Sequence, residues 1–269
     1  MDTNAYGGVG AKEVIIFQTK IMMGAQFGRV MYARDNNAIK TEESQNEILI
    51  ACLRLGWNDA FRHTSQNENS VQNDINNHNK TYTASRFKLF RGKIKRYDAS
   101  LDFDDYFSHK VISDKDFLET FKSYAASSNK CDVINNKWEN IKNCFKGVKK
   151  LDGNKKLSFG HIQKMFNIAI KLYLCLYICR DELGLCDCLF VNSIVNNFNN
   201  AHCPIDSIIL GELEQKQMEK LGEGADYSSK YGNYTWSQLS STDYAKIQND
   251  IKNECNGKSK LWFDFDNWS

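Results

Sequence analysis

The sequence predicts a mostly helical fold with a single globular core, and three observations indicate it. Segment 158–180 is the most apolar part of the chain: thirteen of the eighteen residues from His161 to Ile178 are apolar, so a helix there must be central to the fold. Several other segments place apolar residues at helical spacing. Finally, 42% hydrophobic and 25% charged residues in a chain of 269 are an ordinary globular composition, sufficient to bury a large core.

The individual helices are predicted from apolar spacing and from residues that cap helix ends. In the first helix, Ser44 is a candidate N-cap with Glu47 three residues later, which is the capping-box pattern. An aromatic segment, 261–268, follows the last one. In chain order, the predicted helical segments are 44–61, 114–126, 132–148, 158–180 and 207–221, and a turn followed by a capped helix is predicted in 236–253.

The N-terminal half differs in composition from the rest of the chain. Residues 66–80 contain six Asn in fifteen positions, so they have little to bury and are expected to form a mobile loop. A few short strands are also conceivable in this half. We therefore divide the chain into an N-terminal helical region, 1–130, and a helical core, 131–269.

Charge and hydropathy restrict the function classes. The formal net charge is only +2, so a nucleic-acid surface must be a local patch. The longest apolar run, 168–178, is interrupted by Lys171 and is too short to span a bilayer. No signal-peptide pattern is recognised, and an odd number of cysteines without a regular framework argues against a disulfide scaffold. We expect a cytoplasmic protein that does not bind membranes.

The strongest candidate for contact with nucleic acid is the basic stretch 86–97, which combines six basic side chains with three aromatic ones. Its cations can contact phosphates while its rings stack on bases. The alternative is a strand with one hydrated face. The basic candidates are Arg86, Lys88, Arg91, Lys93, Lys95 and Arg96, together with Lys155 and Lys156 in the turn 151–160.

The cysteines in the second half of the chain raise the question of a zinc site. No Cys-x-x-Cys pair is present, and two of the cysteines lie within the apolar helix. Buried free thiols are therefore the favoured interpretation, and we expect no metal and no cofactor. The residues concerned are Cys175, Cys179, Cys186, Cys188, His202 and Cys203.

Two motifs carry the candidate chemistry. Gln163 and Lys164 lie near the start of the apolar helix, and Pro204, the only proline in the chain, precedes Asp206. Burial can lower the pKa of a lysine, and a neutral amine forms Schiff bases at a sugar C1′. A nearby carboxylate can stabilise positive charge that develops on the sugar. Proline restricts the backbone and can thereby direct the carboxylate.

This arrangement resembles the helix-hairpin-helix DNA glycosylase superfamily, in particular its archaeal 8-oxoguanine glycosylases. The resemblance covers 150–210: Gln163–Lys164 match a Gln-Lys pair, Pro204–Asp206 match a Pro-x-Asp, and 151–160 stands where the hairpin is expected. It implies a helix-hairpin-helix core, DNA as partner, and a role in DNA repair. It also implies Lys164 as nucleophile and Asp206 as assisting carboxylate. Candidate substrate contacts are Gln163, His202, Asn167 and Trp236.

The same residues have simpler interpretations. Lys164, Asn167 and Lys171 are spaced i, i+3 and i+7, so they predict one narrow polar stripe on which Lys164 is merely solvated. Asp206 is well placed to cap the helix 207–221 and to interact with its dipole.

The sequence HCPID occupies residues 202–206. The pattern of a Gln-Lys pair followed by this HCPID segment also resembles a group of uncharacterised bacterial and phage proteins. The alternative function is therefore a non-catalytic nucleotide- or nucleic-acid-binding protein of a bacterial–phage conflict system. A protein partner that contacts 261–268 is a further alternative. In either case Trp236 is an ordinary core or interface anchor.

Overall fold

A long apolar helix, Phe159–Ile178, lies at the centre of the fold, and every one of its residues except Tyr177 is buried. The computed structural model describes residues 26–39, 41–61, 110–146, 157–221 and 229–267. In chain order the helices are α1 (Phe27–Asn36), α2 (Thr41–Phe61), α3 (Lys115–Ala126), α4 (Lys130–Asn136), α5 (Trp138–Cys144), α6 (Phe159–Ile178), α7 (Asn192–Val195), α8 (Ser207–Leu221), α9 (Ser241–Glu254) and α10 (Lys260–Asp266).

The predicted mostly helical fold is confirmed. None of the described residues lies in a strand, so the short strands considered for the N-terminal half are not found among them. The Asn-rich segment 66–80 lies outside the described residues. Of the helices that the structure describes, none is both long and apolar enough to cross a membrane.

The central helix packs most extensively against α2. Gly56 of α2 lies at the crossing point, where an added Cβ atom would be 2.2 Å from the carbonyl oxygen of Met165. Only a residue without a side chain allows this approach of the two backbones. The close crossing brings Asp59, which follows Gly56 by three residues, to the side of α6 that carries Lys164.

Buried apolar residues from both predicted regions form one cluster. Helices α2 and α3 contribute from the N-terminal side of residue 130, and α6, α8 and α9 contribute from the C-terminal side. The described part of the N-terminal region is therefore packed into the same core as the rest. A division of the chain at residue 130 stays a prediction.

Two of the predicted helix limits were wrong. Helix α2 begins at Thr41, so Ser44 is a buried residue within the helix and not its N-cap. Glu42 and Glu43 instead place negative charge in the first turn, where it interacts favourably with the helix dipole. Ser158, in contrast, does cap α6, because its side chain accepts a hydrogen bond from the N–H of His161.

The second wrong limit concerns 132–148, which was predicted as one helix. The structure has two, α4 and α5, that are separated at Lys137, where φ is −102° and ψ is 9°. Asn135 and Asn136 stand directly before this break, and asparagine is a poor helix former because its side chain competes for backbone hydrogen bonds.

The predicted polar stripe on α6 exists, but it is not solvated. Lys164, Asn167 and Lys171 are all buried, so the interpretation of Lys164 as a solvated residue is wrong. The stripe is covered by elements from the last third of the chain and, at Lys164 and Asn167, also by side chains of α2 and α3. Lys171, for example, forms an ion pair with Asp264 of α10, with 2.5 Å between Nζ and Oδ2.

Candidate functional site

The HCPID segment is held in place by two glutamine side chains. Residues 201–206 form neither helix nor strand, and all but Asp206 are buried. The Nε2 of Gln163 donates to the carbonyl of Ile205 at 3.0 Å, and its Oε1 accepts from the N–H of Ile205 at 3.3 Å. Gln248 of α9 makes the same pair of bonds with Cys203. Two side-chain amides thus supply the bonds that a neighbouring strand would supply.

Pro204 stands between the two residues held in this way. It is buried and has no backbone N–H. Any other residue at this position would bring a donor into the interior, and a buried donor without a partner costs about 1–3 kcal/mol. The only proline of the chain therefore suits a buried position between Cys203 and Ile205, whose backbone groups are the ones that the two glutamines hold.

Asp206 ends this segment and begins the next helix. Its Oδ1 accepts hydrogen bonds from the N–H groups of Ile208 and Ile209, both at 3.0 Å, so the predicted capping role is confirmed. Its other oxygen, Oδ2, lies 3.7 Å from Nζ of Lys164. One carboxylate thus fixes the start of α8 and faces the lysine at the same time.

Lys164 is surrounded by two carboxylates and an indole ring. Its side chain is only 8% exposed, and its Nζ lies 2.9 Å from Oδ2 of Asp59. The same nitrogen lies 4.5 Å from the centre of the Trp236 ring, which is a cation–π distance. One ammonium between Asp59 and Asp206 gives the site a formal charge of −1.

A second glycine positions the indole. An added Cβ atom on Gly160 would be 2.0 Å from the carbonyl oxygen of Trp236, so the chain around Trp236 rests directly on the first turn of α6. The ring of His161 is packed edge-on against Trp236, at 5.6 Å between centroids. The same His161 ring is also stacked on the ring of Phe61, at 5.4 Å between centroids. Trp236 as a whole is half-buried, so the residue is not fully covered by the fold.

This arrangement allows three chemical operations. Asp59 is in position to accept a proton from Lys164, because 2.9 Å is a normal hydrogen-bond distance. A cation that forms beside Asp206 is stabilised by its carboxylate. A planar group can stack on the accessible part of Trp236.

Gln163 and Asn167 have no exposed surface. The Nδ2 of Asn167 donates to the hydroxyl oxygen of Tyr244 at 2.9 Å, and its Oδ1 accepts from the hydroxyl of Tyr124 at 2.8 Å. These bonds join α6 to α3 and α9. Contact of Gln163 or Asn167 with a substrate stays a prediction.

His202 lies in the same buried network but lines a different pocket from the Lys164 site. Its Nδ1 is 2.7 Å from the hydroxyl of Tyr244. Burial lowers the pKa of His202 well below its ordinary value, with Lys260 and Lys130 adding to the effect. The ring of His202 is therefore neutral, and its contact with a substrate stays a prediction.

All nine cysteines are free, and of the five in the second half that were predicted to be buried, the prediction was wrong for two. Cys175, Cys179 and Cys203 are buried, whereas Cys186 and Cys188 are exposed. Cys186 is the N-cap of a 3-10 turn, Asp187–Leu189, and Cys188 lies within that turn. Within the described ranges, no group of three or more potential ligands is arranged to hold a metal ion.

The predicted nucleic-acid contacts lie outside the described residues. They comprise Arg86, Lys88, Arg91, Lys93, Lys95, Arg96, Lys155 and Lys156.

Four residues that build the site could not be recognised from the sequence. Gly56 and Gly160 resemble any helical glycine in the sequence, and Asp59 resembles any surface carboxylate. Gln248 lies 45 residues after the backbone that it holds. The HCPID segment indicated only that such partners must exist, because the backbone groups on either side of a buried proline need hydrogen-bond partners.

No family model matches the chain, and no curated protein and no solved structure is significantly similar to it.

Proposed function

We propose that the protein is a DNA N-glycosylase with lyase activity that acts on a modified or damaged purine. Lys164 is the nucleophile and Asp206 is the carboxylate that assists it. The observation that carries the proposal is the 3.7 Å distance between Nζ of Lys164 and Oδ2 of Asp206. The two residues come from motifs 42 positions apart in the chain, yet they meet beside a partly accessible indole.

The first step is activation of the amine. Lys164 must attack as the neutral amine, and Asp59 is the group placed to relay its proton, because its Oδ2 is 2.9 Å from Nζ and its side chain is 52% exposed to solvent. The neutral amine then attacks C1′ of the nucleoside. The bond between C1′ and N9 breaks, and the purine leaves with the electron pair and takes up a proton.

Asp206 acts on the charge that develops on the sugar. As the glycosidic bond breaks, positive charge accumulates at C1′ and the ring oxygen, and a carboxylate beside it lowers the barrier. The backbone bonds to Ile208 and Ile209 hold this carboxylate in place before the substrate arrives. Opening of the sugar ring then gives a Schiff base between C1′ and Lys164, from which strand cleavage by elimination can follow.

Access to C1′ requires that the nucleotide leaves the duplex, since the reacting atoms are shielded within the stack. The accessible part of Trp236 offers a surface on which an extruded purine can stack. A base stacked there lies next to Lys164, because Nζ of Lys164 is 4.5 Å from the centre of the Trp236 ring.

Borohydride trapping tests this proposal. The protein is incubated with a duplex that carries 8-oxoguanine, or with one that carries an abasic site, and is then reduced, while base release is measured in parallel. We expect a covalent adduct with wild type and none with Lys164→Gln. Lys115→Gln is the matched control, because Lys115 is an exposed lysine at the start of α3. Absence of both adduct and base release with both duplexes contradicts the proposal, as does an adduct that persists in Lys164→Gln.

The alternative, a non-catalytic binder of nucleotides or nucleic acid, is supported by one observation. Lys164 lies between the carboxylates of Asp59 and Asp206, and a charged lysine with no catalytic role would make the same contacts. A binder tolerates Lys164→Arg, which keeps the charge between the two carboxylates, whereas Schiff-base chemistry does not, because a guanidinium is not a nucleophile.

A further inference from the structure

A second pocket, separate from the Lys164 site, is lined by basic and polar side chains. Its volume is about 260 Å³, and it lies where the first turns of α4 and α10 meet α9 and His202. None of the residues that line it is acidic. The lining residues that matter for its chemistry are Lys130, His202, Asn249, Lys252 and Lys260.

Lys252 and Lys260 have no acidic partner among the described residues, and each lines the pocket. Neighbouring lysines are different: Lys246 lies 3.9 Å from a carboxylate oxygen of Asp243, and Lys230 lies 3.0 Å from Asp250. Within the described residues, the positive charges of Lys252 and Lys260 are thus not compensated by an ion pair.

Lys130 contributes charge to the pocket but not hydrogen bonds. Its Nζ donates to the backbone carbonyls of Tyr124, Ala125 and Ser127 at the C-terminal end of α3, at 2.9, 3.3 and 3.2 Å. Three ammonium donors are thereby committed. Lys130 is held in the wall of the pocket, where it adds positive potential while it is protonated.

The crowding of these cations is unfavourable in the empty pocket. Burial lowers the pKa of Lys260 to about 8, and the neighbouring Lys252 adds to this effect. Burial also lowers the pKa of Lys130 to about 7, with Lys260 adding to it. A bound anion would relieve the repulsion.

We propose that this pocket binds a phosphate group, with Lys252 and Lys260 as its direct ligands. A phosphate carries nearly two negative charges at neutral pH and therefore matches two ammonium groups better than a carboxylate does. The exposed amide of Asn249 offers a further donor. The volume of 260 Å³ is below the roughly 300–1,000 Å³ of pockets that enclose drug-sized molecules, which suits a phosphate group rather than a whole nucleotide.

Binding must weaken when Lys260 loses its proton. The charged and titratable groups that face Lys260 are Lys252, Lys130, Cys131, Cys255 and His202, whose ring is neutral at these pH values because burial lowers its pKa. Asp132 of α4 is engaged by Nδ2 of Asn129 at 2.5 Å. With a pKa of about 8, Lys260 is charged at pH 7 and mostly neutral at pH 9. Phosphate affinity is therefore higher at pH 7 than at pH 9, and binding near pH 8 takes up protons from solution.

The test is calorimetric titration of the full chain with inorganic phosphate at constant ionic strength and pH 7. We expect saturable binding by wild type and by Lys115→Met, which removes an exposed lysine outside the pocket. Lys260→Met is expected to weaken binding about tenfold or more, since it removes a charge-assisted hydrogen bond. Lys252→Met tests phosphate affinity independently, because Lys252 is exposed and its substitution is expected to leave folding intact.

Two further arms identify the source of the phosphate. Phenyl phosphate that binds more tightly than inorganic phosphate identifies a phosphomonoester as the ligand, and equal affinities identify phosphate itself. The proposal is overturned if phosphate does not saturate the protein, if chloride competes equally well, or if Lys260→Met and Lys252→Met both bind phosphate as wild type does. None of these outcomes depends on the chemistry at Lys164, since neither variant touches that residue.

Discussion

The side-chain amide of Gln163 is paired with both backbone groups of Ile205, one donor to one acceptor in each direction, at 3.0 and 3.3 Å. Gln163 precedes Lys164, and Ile205 precedes Asp206. The amide therefore fixes the backbones that carry the two candidate catalytic residues relative to each other. The relationship explains why the Gln-Lys and Pro-Ile-Asp motifs belong together, whatever the chemistry at Lys164.

Gln163→Leu removes this connection at nearly constant volume. It leaves the N–H and the C=O of Ile205 buried without a side-chain partner, so we expect a loss of about 2–4 kcal/mol in the free energy of unfolding. Urea unfolding followed by circular dichroism measures this loss. Gln215→Leu is the control, because Gln215 is exposed on α8 and is expected to change stability by less than about 0.5 kcal/mol. Equal effects of the two substitutions would show that the Gln163 amide does not stabilise the segment.

The helices were predictable because their signals are local. The apolar periodicity of 158–180 and the polar residue before 207–221 are each contained in one stretch of sequence, and α8 begins and ends at the predicted residues. The break at Lys137 was missed because the apolar residues before it, such as Val133, and those after it, such as Trp138 and Ile141, continue one helical spacing. Local patterns do not report where one helix is replaced by two.

The site was predictable only in part, for a different physical reason. Lys164 and Asp206 were recognised because they belong to contiguous motifs. Asp59 was not, because its pairing with Lys164 depends on the crossing of α2 and α6, which Gly56 permits. The polar stripe was misjudged as solvated since a sequence shows the polarity of a helix face but not what covers it.

Gly160→Ala is expected to disturb the site from the side of the indole. The new methyl group would be 2.0 Å from the carbonyl oxygen of Trp236, so the chain around Trp236 must shift, at a cost of about 1–3 kcal/mol. Movement of the indole away from the ammonium of Lys164 is detected as a change in tryptophan fluorescence. Gly211→Ala is the matched control on α8: nothing lies within 4 Å of its added Cβ atom, so better helix propensity should stabilise the protein by about 0.5–1 kcal/mol. A Gly160→Ala protein as stable as wild type would exclude the close packing seen here.

The two roles of Asp206 can be separated by substitution. Asn caps a helix about as well as Asp, so Asp206→Asn is expected to keep the stability of wild type within about 0.5 kcal/mol, whereas Asp206→Ala loses about 0.5–2 kcal/mol. The charge beside Lys164 is removed in both. If the proposed chemistry is correct, borohydride trapping falls about 100-fold or more in both variants. Full trapping activity in Asp206→Asn would show that the carboxylate acts only as a helix cap.

Stability is expected to fall as the pH decreases below 6.5, because His202 is buried in neutral form. Burial holds the pKa of His202 well below 6.5 in the folded protein, while an unfolded chain binds a proton near pH 6.5. Below this pH the unfolded state therefore binds one more proton than the folded state, so the free energy of unfolding decreases by up to about 1.4 kcal/mol per pH unit. Urea midpoints at pH 7.0, 6.0 and 5.5 measure the slope, and His202→Gln, which cannot titrate, should be flatter over this range. The same slope in both proteins would mean that other groups, such as carboxylates, cause the loss, and that His202 titrates normally in the folded state.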